Sequence, residues 1–175
     1  MKRKKTGTMK KKGSATTKTN DQTMKELEGH LRKLKNDSNH IGDMIRYLAE
    51  AAIAGCQVLV ATMKISGTDK TGYVCMIDES RHENHLVIFT SEENMKSAGF
   101  EAGERKSLME LILLLQLKGT ADGMCFNVAT VFSPQDAPNP ERVGMMGVVL
   151  GEYEIAEVFS LLVSEADRIK EVPGI

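Results

Sequence analysis

The chain has 175 residues, 41% of them apolar and 27% charged, with a formal net charge of −1. A domain near this size buries roughly 68–70% of the surface its unfolded chain exposes, so one soluble domain is expected, without metal or disulfide staples. No apolar run approaches the ~20 residues that span a bilayer. No apolar stretch follows the basic start as in a secretory signal, and Cys56, Cys75 and Cys125 fit neither a disulfide framework nor a zinc pattern.

The small net charge hides a segregation. Residues 1–20 hold eight Lys or Arg and no acid, while the remaining fifteen basic residues face all twenty-four acids, a net of −9. This tail has two Met as its only sizeable apolar groups and cannot bury enough surface to offset its ordering entropy, so it is predicted to be disordered. Lys2, Arg3, Lys4, Lys5, Lys10, Lys11 and Lys12 suit electrostatic contact with nucleic acid, ribosomes or an acidic membrane surface. They equally suit a solubilising extension that rests on the acidic body.

Thr23-Met24-Lys25-Glu26 has the spacing of a capping box, and Met24, Leu27, Leu31 and Leu34 then form an apolar stripe on a helix ending near Lys35. Residues 36–39 are a polar break. Ile41, Met44, Ile45, Leu48 and Ala52 mark the buried face of a second helix, with Gly55 as a left-handed stop. Gln57–Ile65, apolar on both faces, reads as an inner strand, and Tyr73–Ile77 as its hairpin partner across the turn 67–72.

A charged loop, Asp78–Asn84, leads to the strand His85–Phe89. Thr90 to Glu93 repeats the capping-box spacing before a short helix, as does Ser107 to Glu110 before Leu108–Leu117. Eight of the ten residues in Leu108–Leu117 are apolar, which predicts a helix buried nearly all round. Strands are predicted at Met124–Val128 and Val143–Leu150, with the Pro-rich segment Thr130–Arg142 irregular between them. Ile155, Phe159, Leu162, Ala166 and Ile169 mark a last amphipathic helix. The order of elements predicts an α+β fold: a mixed, mainly antiparallel sheet of about five strands packed with four to five helices, preceded by the basic tail. The expected division is a tail over 1–20, an amphipathic helix over 21–38 and a single domain over 39–175.

Few residues suggest chemistry. His82-Glu83-Asn84-His85 is the one His cluster, but a zinc site needs three or four ligands, so a polar loop entering a strand is the simpler reading. The three Cys fall at or inside predicted strands, where inert buried thiols are usual, and no base stands beside them in sequence; a thiol enzyme on Cys125 or Cys75 is the least favoured function. No phosphate-binding glycine motif occurs, so no cofactor is expected. With no Trp, eight aromatics and a −9 body, nucleic-acid binding is left to the tail. Met145 and Met146, after the Pro-rich segment, are either core or an adaptable partner surface.

The block His85-Leu86-Val87-Ile88-Phe89-Thr90-Ser91-Glu92-Glu93 resembles the strand-to-helix junction, "lpvFTsee", of SseB-like proteins, named for enhanced serine sensitivity. Val58–Met63, Ser107–Leu115 and Asp122–Asn127 follow the order of that family's other segments, over about residues 44–130. Asn127 departs from it, being followed by Val128-Ala129 rather than Pro-Gly. The resemblance implies a small cytoplasmic α+β module that binds a protein partner and is not an enzyme. Thr90, Ser91, Glu93 and Asn127, at two strand ends, are the expected partner-binding residues; the alternative is that Thr90 and Glu93 cap the helix and Asn127 shapes a turn. The competing function is a nucleic-acid- or ribosome-associated protein anchored by the tail.

Overall fold

The computed structural model describes residues 18–132 and 142–170. The basic cluster Lys2–Lys12, with its expected disorder, and the Pro-rich stretch 133–141 lie outside the described residues. The elements are, in order, α1 (Asn20–Asn36), a 3-10 turn (Ser38–His40), α2 (Ile41–Ile53), β1 (Gln57–Lys64), β2 (Thr71–Tyr73), β3 (Cys75–Asp78), β4 (Glu83–Phe89), α3 (Glu92–Ser97), β5 (Ala102–Ser107), α4 (Leu108–Lys118), β6 (Gly123–Phe132), β7 (Arg142–Leu150) and α5 (Glu152–Lys170). This is an α+β fold with a mixed, mostly antiparallel sheet; the strands number seven rather than about five.

The first helix starts a turn earlier than the Thr23–Glu26 spacing predicts. Thr19, in extended backbone, accepts the Gln22 N–H while the Gln22 side chain accepts the Thr19 N–H, completing a capping box. Thr23 is buried inside the helix and its hydroxyl donates to the Thr19 carbonyl at 3.1 Å. Glu26 is spent on Lys18 and Tyr47.

The helix is also no separate unit. Met24, Leu27 and Leu31 belong to the main core with Met44, Leu48, Val60, Ile88, Phe126 and Leu150. Leu27 is wholly buried, which stabilises by about 1.5–3 kcal/mol for such a side chain. Tyr47 of α2 stacks on His30 at 4.4 Å, and its hydroxyl lies 2.9 Å from the Thr23 carbonyl oxygen. At its start, α1 is tied to β1: the Gln57 N–H donates to Asn20 Oδ1 at 2.8 Å, and Asn20 Nδ2 donates to the Gln57 carbonyl at 3.3 Å.

The predicted return strand Tyr73–Ile77 is divided between two partners. β2 pairs with the far end of β1 (Thr62–Tyr73 to Lys64–Thr71), whereas β3 pairs with β4 (Cys75–Leu86 to Asp78–Glu83). β1 and β4 meet directly only at Leu59–Phe89 and Val60–Ile88. Beyond that point they splay, and the kinked segment fills the gap through Val74, whose N–H donates to Ala61 O while its carbonyl accepts from Val87.

β5 covers the other side of β1 along Gln57–Ser107 to Thr62–Ala102. Its sequence, Ala-Gly-Glu-Arg-Lys-Ser, is polar and mostly exposed, so no hydrophobic alternation announced it. β4 and β6 pair in parallel from His85–Gly123 to Ile88–Phe126, and β7 closes that side of the sheet.

Leu86 and Ile88 pack into the main core, and Val87 and Phe89 into a smaller one with Met95, Ala98 and Cys125. β4 is thus apolar on both faces, as an inner strand must be. The helix Leu108–Lys118 keeps only one face inside. Leu108, Leu111, Ile112 and Leu115 are buried, but Leu117 is 71% exposed. Thr130–Phe132 and Arg142, expected to be irregular, are strand: β6 runs to Phe132, and β7 begins at Arg142, which pairs with it. Glu83 and Asn84, placed in a loop from sequence, open β4.

Candidate functional site

Four side chains from four elements meet where β4 hands over to α3. The Thr90 hydroxyl donates to Glu28 Oε1 of α1 at 2.6 Å and accepts from Asn94 Nδ2 and Asn127 Nδ2, each at 3.0 Å. A hydroxyl has one proton and two lone pairs, so Thr90 is saturated. The Thr90 N–H donates to Asn127 Oδ1 at 3.0 Å, and the second Asn94 amide proton goes to Glu28 Oε1 at 3.1 Å. Thr90 is buried, which makes every one of these bonds costly to break.

Of the four residues expected there, Thr90 and Asn127 are brought together and Ser91 and Glu93 are not. Ser91, not Thr90, is the N-cap of α3: it is extended and accepts the Asn94 N–H at 3.2 Å. Helix entry therefore comes one residue later than the Thr90–Glu93 spacing implied. That frees the Thr90 side chain for the quartet. Glu93 is exposed and makes no bond among the described residues, and its neighbour Glu92 lies 3.4 Å from Arg105.

Glu28 and Asn94 were not anticipated. Asn94 lies four residues after Thr90, a spacing that one helical turn brings together. Glu28 stands beside Leu27 in the stripe of α1, and only the docking of α1 carries it to residues more than sixty positions later.

Asn127 is held by its backbone as well as its amide. Its φ is +48°, left-handed, and the β6–β7 register slips between Phe126–Val148 and Ala129–Met146. Asn127 and Val128 thus face Gly147 alone, a β-bulge in which Asn takes the left-handed position. Gly147 cannot carry a side chain there: a Cβ would come within 2.8 Å of the Phe126 carbonyl oxygen and 2.6 Å of Cys125 Sγ.

Beside the quartet lies a groove of about 610 Å³ between α1 and β7. Leu31, Leu34, Phe126 and Val148 supply apolar lining, and Glu28, Asn94 and Asn127 extend the quartet into it. Arg32 and Lys35, exposed on α1, line it too and form no ion pair among the described residues. Met146, 64% exposed, stands on the opposite wall, whereas Met44 and Met124 are core. The side chain of Met145 lies outside the description.

The remaining candidates do not converge on this place. His85 is wholly buried, with Nε2 2.8 Å from Glu83 Oε2, and His82 sits in left-handed backbone at the β3–β4 turn. Among the described residues no three His, Cys, Asp or Glu side chains are grouped as metal ligands would be. Burial pushes the Cys56 thiol up to about 11 and the Cys125 thiol up to about 12. Cys75 is exposed and is also raised, by desolvation first and then by the Asp122 charge. All three shifts oppose thiolate formation. Among the described residues no helix is long and apolar enough to cross a membrane. Comparison with protein-family models, with curated proteins and with solved structures finds no match for this chain.

Proposed function

We propose that the chain is a non-enzymatic, cytoplasmic protein-interaction module of the SseB-like kind, which holds a protein partner in the groove between α1 and β7. The observation that carries this is the pair of cations, Arg32 and Lys35, without an ion pair among the described residues, over a groove with an apolar floor and a hydrogen-bonded polar end. Groups that are fixed before binding lower the entropy lost on association. The quartet supplies that fixity, because Thr90 has no valence left for a partner and serves to set Glu28, Asn94 and Asn127 in place. The junction motif His85–Glu93 supports the same reading by resemblance.

The test is photo-crosslinking from native extract with a crosslinking residue at Met146, using the full chain and its Arg32→Glu/Lys35→Glu variant. A specific crosslinked protein that is lost on charge reversal, at unchanged melting temperature, is the expected result. The same products from both proteins, or none together with turnover in a broad enzyme screen, would overturn it.

The charge segregation favours a second reading, in which the tail anchors the protein on nucleic acid or a ribosome while the −9 body stays clear of the phosphates. Neutralising Z phosphates gives a log-affinity slope of about −0.9Z against log salt on duplex DNA. Deleting residues 1–17 keeps Thr19 and Lys18 at the start of α1 and should remove that slope; equal binding by both chains would remove this reading.

A further inference from the structure

We infer that the partner enters as an extended, acidic segment that adds a strand to the free edge of β7; this rests on the interaction-module reading above. β7 ends the sheet and pairs only with β6, so its outer N–H and C=O groups have no ladder partner among the described residues. Native proteins guard such edges with charges or proline. From Val143 to Leu150 this strand has neither.

The lining of the groove shows where it runs. Successive residues of a strand point to opposite faces, so a groove on one face of the sheet would touch alternate residues. This one touches Met146, Gly147, Val148 and Val149 in succession, so it reaches the edge of β7, and from there it continues over Phe126 and Asn127 of β6 beneath α1. Four residues of strand span about 13 Å, room for a short added strand. Across the groove, Arg32 and Lys35 are three positions apart on α1 and therefore on one side of it. Acidic side chains at alternate positions of the added strand would meet them.

Charge decides among occupants. A second copy pairing β7 with β7 would bring a strand whose one charge is the basic Arg142 and leave both cations unmatched. The chain's own tail would bring more Lys and Arg against them. Both are less suited than an acidic segment.

The experiment pans a display library of random nine-residue peptides on the full chain. Selected peptides are then made synthetically, with and without N-methyl groups at single backbone positions. Expected are peptides with Asp or Glu at alternate positions, about tenfold weaker when every second N–H is blocked. Charge reversal at Arg32 and Lys35 should weaken them about as much or more. The protein stays unaltered in the N-methyl arm, so misfolding cannot mimic the result. Basic peptides, anchors at helical spacing, or self-association of the chain in ultracentrifugation would overturn the inference. Peptides that displace the Met146-crosslinked partner yet ignore N-methylation overturn strand addition and leave the module reading standing. Absence of both peptides and crosslinks strikes both.

Discussion

The Thr90 hydroxyl donates a 2.6 Å hydrogen bond to the Glu28 carboxylate, joining the end of β4 to the middle of α1 across 62 residues of sequence. Charge-assisted bonds of this length are about twice as strong as neutral ones. Glu28→Ala should cost about 1.5–3 kcal/mol in denaturant unfolding, because Thr90 and Asn94 both lose their acceptor. Glu28→Gln retains an acceptor oxygen and should cost clearly less. Equal losses would show that the carboxylate's bonds are not what stabilises the junction.

Asn127 can be divided into backbone and amide. Asn127→Gly keeps the left-handed conformation and loses the amide, leaving the buried Thr90 N–H unpaired, for about 1–3 kcal/mol. Asn127→Ala loses the amide and adds the strain of an ordinary residue at φ +48°, about 1 kcal/mol more. Equal melting temperatures for the two variants would contradict the bulge argument.

The thiols should react in a fixed order. Cys75 is exposed, and Cys56 and Cys125 are buried with their proton loss pushed to about 11 and 12. At pH 8 an aromatic disulfide reagent should titrate Cys75 alone in the native protein and all three thiols in denaturant. Rapid native labelling of Cys125 would mean that the small core opens far more readily than its packing implies.

Alkaline stability should report on Tyr47. Its phenol is raised well above the ordinary 10.0, by desolvation first and then by its hydrogen bond to Glu26. The folded chain therefore keeps the proton at a pH where the unfolded chain releases it. That contribution is full below pH 10 and falls as pH rises above it. Tyr47→Phe should be less stable than the parent at pH 8, and its stability should fall less steeply between pH 10 and 11. Parallel pH profiles for the two proteins would refute the assignment.

What could be read from the sequence follows from where its signals are local. The stripe of α1, the inner strand at Gln57 and the capping pair at Ser107–Glu110 depend on near neighbours, and the structure keeps them. β5 was illegible because an exposed edge strand carries no alternation. The kink at Val74 was illegible because its two halves take different partners. At the site, Thr90 could be found because strand ends collect polar residues; Asn127, read as a second strand end, instead lies at the bulge inside β6, which runs on to Phe132. Glu28 could not, since its role exists only once α1 has docked.

The sparse contact between β1 and β4 makes the sheet two plates, β5-β1-β2 and β3-β4-β6-β7, joined along a thin seam that Val74 stitches. The first helix is the clasp over that seam. Asn20 fastens it to Gln57 on one plate, and Glu28, eight residues or about 12 Å further along, fastens it to Thr90 on the other. A strut held at both ends resists the turning of one plate against the other about the seam, which two residue pairs alone would hold weakly.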